Sequence, residues 1–450
     1  MSPFLRGHFN FHPMDKPLKV LIITYYWPPS GGSGVQRWMY FAKYLAEFGI
    51  EPVVVTVDEK YASYKSTDAS LSAKIASVAV HKTKTLEPLR FYSFLKSGNA
   101  QQEIPQGNVG GKQKSALDKL ATYVRGNFFI PDARVGWNRY AFKKASQLLD
   151  QESFDAIITT GPPHSTHLVG LALQKRYKLP WISDFRDPWT ELYYNSLFKR
   201  TTRSQRKDQN MELAVLQQSD LVLTIGPSMA QLLASKIPHA ADKVHYIYNG
   251  YDAELMAEIV PSKKTRFTAA HIGILSEKQA YLSLVEAFRT LLSEQPDLEI
   301  DFILAGDVAP AIVGAFQAIA GLNTQYVGKL SHREALQLMF DADLLTNCLA
   351  LIAESRILIS GKMMEYLATG NAILAIGDTT GDAANLLNGI VDAGMFAPTD
   401  TRKMADFIAQ IYRQRTTQRM SKPELTAYSR RETTRELSGL IHRFVNRADD

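Results

Sequence analysis

The sequence has one cysteine in 450 residues, Cys348, so no intramolecular disulfide can form, which fits a reducing compartment. Long apolar runs are missing too. Val53-Val54-Val55 and Ile303-Leu304-Ala305 belong to stretches far below the roughly 18 residues that a membrane-spanning helix needs. The first 16 residues contain Arg6 and Lys16 but no apolar core of signal-peptide length. The expected location is therefore the cytoplasm, with peripheral contact at the inner face of the cell membrane as an open addition. No Cys/His cluster has zinc spacing. Neither a Walker Gly-Lys-Ser/Thr nor a clean Gly-x-Gly-x-x-Gly is present, which weakens kinase and dehydrogenase readings. The formal charge of +6 suits an anionic ligand or an anionic membrane surface but is too small to argue for nucleic acid.

What is present is enough apolar residue, 45%, for full-sized cores, in a chain long enough for two to three domains. The most informative passage is Val20 to Phe48. An apolar run, Val20-Leu21-Ile22-Ile23-Thr24, leads into Pro28-Pro29-Ser30-Gly31-Gly32-Ser33-Gly34, and a helical pattern starts at Val35. Strand, glycine turn and helix predict an α/β fold with a ligand approaching the backbone of Gly31 and Gly32 at the positive end of a helix. A tight turn without a ligand is the alternative.

Strand and helix signals then alternate in two cycles of about 200 residues. Strands are expected at 51–57, 155–160, 180–185, 221–225 and 244–248, then at 268–273, 300–305, 325–328, 343–346 and 372–376. Residues 58–136, rich in Lys, Ser, Gln and Gly, read as a long excursion with some helix. The implied architecture is two Rossmann-like domains with parallel sheets facing across a cleft: 1–255, carrying the excursion as an insertion, and 256–425. A C-terminal helix at 426–450 is expected to pack back towards the N-terminal domain.

A second constellation is Ser360-Gly361-Lys362-Met363-Met364-Glu365. Backbone N–H groups at a helix start can hold a diphosphate, Lys362 adds positive charge, and a carboxylate one turn on, Glu365, can accept two hydroxyl hydrogen bonds from a ribose. A surface helix with Glu365 near its positive end is the alternative. Asp341-Ala342-Asp343 superficially matches a metal-binding pair but falls where a helix passes into a strand, so no metal and no cofactor are expected.

Taken in order, these segments resemble a GT-B glycosyltransferase of the family 4 type, and most of all bacterial enzymes that build surface polysaccharides. The resemblance runs from Lys19 to about Phe444. It is carried by the Gly31-Gly32 loop, Asp184 to Trp189, Ser219 to Thr224, Tyr248 to Asp252, Gly273 to Lys278, Gly306-Asp307, Tyr326 to Gly328, and Gly361 to Gly370. Each piece is weak alone; their order and spacing carry the likeness. It implies an enzyme that moves a sugar from a nucleotide-sugar to a saccharide or lipid-linked saccharide acceptor, with retention, in cell-surface polysaccharide synthesis. It implies that 1–255 is the acceptor side and 256–425 the donor side. Gly31 and Gly32 would lie against the donor phosphates or the transferred sugar, and Lys278, Gly361 and Lys362 against the diphosphate. Glu365 would bind the ribose.

The chain departs from the family pattern in three places. Ile274 and Leu275 stand where an arginine is common. Ile357 stands where a first glutamate is common, with Glu354 and Arg356 nearby, and Arg186 replaces a histidine. Asp184, Arg186 and Asp187 remain a charged cluster at a strand end. Arg186 is a candidate for a phosphate or carboxylate and Asp187 for sugar hydroxyls, against a structural ion pair. His164, after Gly161-Pro162-Pro163, is the candidate cleft-facing hydrogen-bond donor, against a structural histidine. The candidate catalytic residues are thus Arg186, Asp187 and His164. Arg90, Phe91, Tyr92, Phe94, Lys96, Arg125, Phe128 and Phe129 make a lipid-linked acceptor or membrane contact an expectation, against a solvated loop. A sugar-nucleotide epimerase and a non-catalytic binding homologue are the rival functions.

Overall fold

A computed structural model describes residues 17–64, 67–86, 116–192, 195, 198–262, 265–352, 354–390, 392–415 and 423–446. Arg90, Phe91, Tyr92, Phe94 and Lys96 lie outside the described residues. The chain forms two compact units; over the described residues the first comprises 17–225, 229–248 and 431–446, and the second 226–228 and 249–430.

The first unit is built on a seven-stranded sheet, all parallel in its pairings, in the order β3-β2-β1-β4-β5-β6-β7. The strands are β1 Leu18–Ile23, β2 Ile50–Val57, β3 Ala79–Thr83, β4 Ala156–Gly161, β5 Trp181–Phe185, β6 Leu221–Thr224 and β7 Val244–Tyr246. β1, β2 and β4 read as near-continuous apolar or β-branched runs because helices cover both faces of a parallel sheet. Val20, Ile22, Val54, Ile158 and Leu223 pack with Trp38 and Phe41 of the helix Ser33–Leu45. Leu437 and Ile441 of the helix Arg430–Asn446 complete this core. β3 lies inside the stretch that the composition marks as an excursion. It is a sheet-edge strand with a half-buried, mostly polar sequence, Ala-Val-His-Lys-Thr, which gives no apolar run to read.

The second unit has a six-stranded parallel sheet in the order β10-β9-β8-β11-β12-β13. Its strands are β8 Phe267–Ile272, β9 Ile300–Ala305, β10 Leu322–Gly328, β11 Leu344–Cys348, β12 Ala372–Ile376 and β13 Ala393–Phe396. Its core gathers Phe267, Phe302, Leu304, Leu344 and Leu374 from the strands with Leu284, Phe288, Phe316, Met404 and Ile408 from helices. Phe302 and Phe316 meet with ring centroids 4.7 Å apart.

Each sheet reverses its winding direction once, between β1 and β4 and between β8 and β11. At such a point the connections leaving adjacent strands run to opposite faces and open a crevice at the carboxyl edge. The Gly31-Gly32 loop and Gly161 occupy one such edge; Gly273 and the approach to Gly361 occupy the other.

Candidate active site

In the second unit the connection after β8 is tightly folded. Gly273 has φ 128°, a conformation that side-chain-bearing residues rarely adopt, and its N–H donates to Ala305 O at 2.7 Å. Gln279 Oε1 accepts from Ser276 N at 2.6 Å and Ser276 Oγ at 2.7 Å, closing the turn that carries Lys278. The carbonyl of Lys278 accepts from Leu351 N at 3.1 Å, and Gln279 pairs with Ala350. These contacts join the turn after β8 to the connection that leaves β11. The Lys278 side chain is exposed.

That connection ends at the helix Gly361–Thr369. Ser360 stands at its cap, but the Ser360 hydroxyl accepts from Asn347 Nδ2 at 2.9 Å and makes no cap bond, and no acidic residue lies in the first turn. Met363 N donates to Ser360 O at 2.9 Å, and among the described residues no side chain caps the helix start, which leaves room for an anion there. Lys362 lies over Gly273: a Cβ at position 273 would run into its Nζ and Cε. Desolvation pushes the Lys362 amine down to about 8, while Glu365 one turn on pulls the other way. Tyr366 Oη accepts from Ile272 N at 3.1 Å and fixes the helix to the end of β8.

Glu365 is mostly covered, with 14% of its side chain exposed, and its Oε1 is 2.8 Å from His332 Nε2. His332 opens the helix His332–Asp341 after β10. Ser331 caps that helix in a reciprocal pair with Glu334, at 3.3 and 2.8 Å. Gly361, Lys362 and Glu365 thus share one helix at the carboxyl edge of β8 and β11, and the backbone of Lys278 reaches the same edge. Sequence reading misses His332, because a histidine 33 residues from its partner carries no local signal. It also misses His271, which is buried at the end of β8 and pushed down to about 3 by desolvation, with Lys362 adding to the shift.

In the first unit, Gly31 and Gly32 precede the helix Ser33–Leu45; Gly32 has φ 97° and no side-chain cap bond is made. Asp184 does not pair with Arg186. Its Oδ1 accepts from Arg37 Nε at 3.1 Å and Nη2 at 3.0 Å, and its Oδ2 from Trp38 Nε1 at 2.7 Å and Thr160 Oγ1 at 2.9 Å. Arg186 turns instead to backbone carbonyls: Nε donates to Gly161 O at 3.1 Å and Nη2 to Pro162 O. Among the described residues its Nη1 has no hydrogen-bond partner, and it stands 3.1 Å from where a Cβ of Gly34 would be. Burial works against the Arg186 charge, and Asp184 and Asp187 support it.

Asp187 is exposed, yet desolvation raises its carboxyl against the pull of Arg186, so its setting is crowded although its surface is open. His164, expected to face a ligand, is only 5% exposed. Its Nε2–H donates to Pro188 O at 3.1 Å, and its ring stacks on Trp189 at 5.1 Å. Burial first, then His167 and Arg186, hold it well below the ordinary histidine range. His167 stacks on Phe185 at 4.5 Å with Nδ1 2.9 Å from Thr159 Oγ1, and burial pushes it down to about 3. Both rings act as neutral packing groups there.

Among the described residues, no group of three His, Cys, Asp or Glu side chains is placed to hold a metal ion, and no helix is long and apolar enough to cross a membrane.

Comparison with known proteins agrees with this arrangement. Residues 103–255 match the family model Glycosyltransferase Family 4. A glycosyltransferase from Rickettsia africae has the same fold: TM-score 0.59, 13% identity, 95% of this chain and 99% of that one. So has an alpha,alpha-trehalose 6-phosphate synthase from Burkholderia multivorans: TM-score 0.60, 12% identity, 96% and 98%. The lipopolysaccharide outer core galactosyltransferase WaaB is similar at TM-score 0.58, with 9% identity over 94% and 99%. No curated protein sequence matches significantly. The fold is GT-B, and within it residues 103–255 are similar to the family 4 glycosyltransferases.

Proposed function

We propose that the second unit holds the nucleotide of a nucleotide-sugar and that the chain transfers the sugar, with retention and without metal, to a saccharide or lipid-linked saccharide acceptor in cell-surface polysaccharide synthesis. One observation carries this reading. A desolvated lysine amine, Lys362, lies over Gly273 at the first turn of an uncapped helix, one turn from the carboxylate of Glu365. A cation and a helix start without a side-chain cap suit a diphosphate, and a carboxylate beyond them suits a vicinal diol.

In this reading Lys278, Lys362 and the Gly361 end of the helix neutralise the leaving diphosphate, which stabilises the charge that develops as the glycosidic bond breaks. These groups supply positive charge where another enzyme would use a metal ion. On the first unit, Gly31 and Gly32 meet the donor phosphates or the sugar, exposed Asp187 takes sugar hydroxyls, and Arg186 contributes field from beneath Gly34. His164 shapes this site by packing and stays clear of the reacting atoms. The exposed Leu120, Tyr123 and Phe128 of the helix Ala116–Phe128 support a peripheral membrane contact on the acceptor side.

The test is incubation with a panel of nucleotide-sugars, with and without saccharide and lipid-linked acceptors, in buffer containing EDTA. Acceptor-dependent release of nucleoside diphosphate and a product with the donor's anomeric configuration are expected. Isomerised donor without acceptor would make the chain an epimerase, and binding without turnover a non-catalytic homologue. Turnover abolished by EDTA and restored by magnesium would overturn the metal-free reading.

A further inference from the structure

We infer that His332 is a positioning residue for Glu365, holding one carboxylate oxygen so that the other is presented to the ribose hydroxyls of a bound nucleotide. This inference rests on the reading of the second unit as nucleotide-binding.

A carboxylate with 14% of its side chain exposed has lost most of its water and needs hydrogen-bond donors. Among the described residues the donor in hydrogen-bond contact is His332 Nε2, at 2.8 Å from Oε1. An ionised carboxylate has about four acceptor positions on two oxygens, so one bond to Oε1 leaves Oε2 open. Nε2–H donates to the carboxylate whether the ring is neutral in that tautomer or fully protonated, so the contact does not depend on the ring's charge.

His332 is itself held. It is the first residue of its helix, and the reciprocal Ser331–Glu334 cap fixes that helix start on both sides. Glu365 sits on a helix tied to β8 through Tyr366. Two anchored elements therefore define where the carboxylate stands before any ligand arrives. A glutamate without His332 would have to give up its rotamer freedom on binding, and a diol would find it misplaced in most encounters. Such pre-orientation favours a ligand with the vicinal diol and does nothing for one without it. His332 thereby becomes a determinant of ribose specificity, although it need not touch the nucleotide.

A tie that merely joins two helices would act differently, weakening all ligands alike or none. The full chain is titrated calorimetrically with uridine, guanosine and adenosine diphosphates, and the tightest binder is compared with its 2′,3′-dideoxy analogue. The wild type is expected to favour the ribonucleotide by about tenfold or more, the range of a hydrogen bond to a charged group. His332→Ala is expected to cut that ratio to about threefold or less and to leave the dideoxy affinity in place. His332→Gln, whose amide can donate from a similar reach, should restore the ratio; His332→Asn, with a shorter reach, should not. The side chain is 39% exposed, so these variants should keep their fold, and a thermal melt of each checks this.

An unchanged ratio in His332→Ala, or equal losses for both ligands, overturns the inference. A wild type that binds no nucleoside diphosphate overturns the nucleotide reading itself. A wild type that binds the diphosphates without preferring ribose overturns only the roles of Glu365 as ribose ligand and of His332 as its positioner.

Discussion

Lys362 occupies the volume that a side chain at Gly273 would fill. The two positions are 89 residues apart in the chain, yet the glycine's missing Cβ is what lets the amine lie at the end of β8. Gly273→Ala should therefore do two kinds of damage. Its φ of 128° strains an alanine, at a cost of about 1–3 kcal/mol, and the methyl displaces the lysine. We expect a lower unfolding midpoint together with at least about a tenfold loss of nucleoside diphosphate affinity, the scale of one charge-assisted contact. Lys362→Met separates the effects: affinity should fall while stability holds or rises. Calorimetric titration and thermal unfolding on both variants check this.

If the proposed site is right, the same amine should make nucleotide binding depend on pH. Desolvation lowers Lys362 to about 8. The charged form predominates at pH 7 and the neutral form above about pH 9. A diphosphate prefers the charged form, so affinity should fall as pH rises through this range. Lys362→Arg, which stays charged, should flatten the profile between pH 7 and 9. A wild-type profile that is flat above pH 7, where the diphosphate itself no longer titrates, would remove Lys362 from the phosphate site.

Arg37 and Asp184 form a buried pair in the first unit, with side-chain exposures of 1% and 0%. Arg37 also donates to Ile247 O at 2.7 Å and Thr224 O at 3.2 Å, so it links β5, β6 and the segment after β7. Removing one partner leaves a buried charge uncompensated, which typically costs about 3–5 kcal/mol. Arg37→Met should destabilise the first unit by that order in denaturant unfolding. The double variant Arg37→Met with Asp184→Asn should recover part of the loss, because the orphaned charge is gone. Additive losses would show that the pair's electrostatics are not what matters.

His164 and His167 should make the protein acid-sensitive. Both are lowered by burial, His167 to about 3, while an unfolded histidine takes a proton near 6.5. Above about 6.5 both states are neutral and nothing is lost. Below it the unfolded chain binds protons that the folded chain refuses, so stability falls with pH, by about 1.4 kcal/mol per histidine per unit. Unfolding at pH 7 and 5.5 should show the drop, and His167→Leu, although less stable throughout, should show a shallower one. An unchanged slope would mean that His167 is protonated in the folded protein.

Much of the architecture is legible in the residue order. The alternation of apolar β-branched runs with helical segments predicts two parallel α/β sheets, and both are present. Glycine turns at strand ends also read correctly as the carboxyl edges of those sheets. β3 is not legible, since an edge strand with polar residues has no run to detect. The grouping of Gly361, Lys362 and Glu365 is readable because they share one helix turn or two.

Partner choice between distant residues is decided elsewhere. Asp184, Arg186 and Asp187 read as one charged cluster at a strand end, but the fold brings Arg37 to Asp184 from 147 residues away. His164 reads as facing a ligand, but the connection after β4 folds it against Trp189. Lys362 meets Gly273, and Glu365 meets His332, only because β8, β10 and β11 end at one edge of one sheet. The sequence by itself determined which segments become strands and helices, through local periodicity and turn chemistry. The tertiary structure alone decided which side chains meet, because that depends on sheet order and on which face each connection takes, and neither is written in any short stretch of residues.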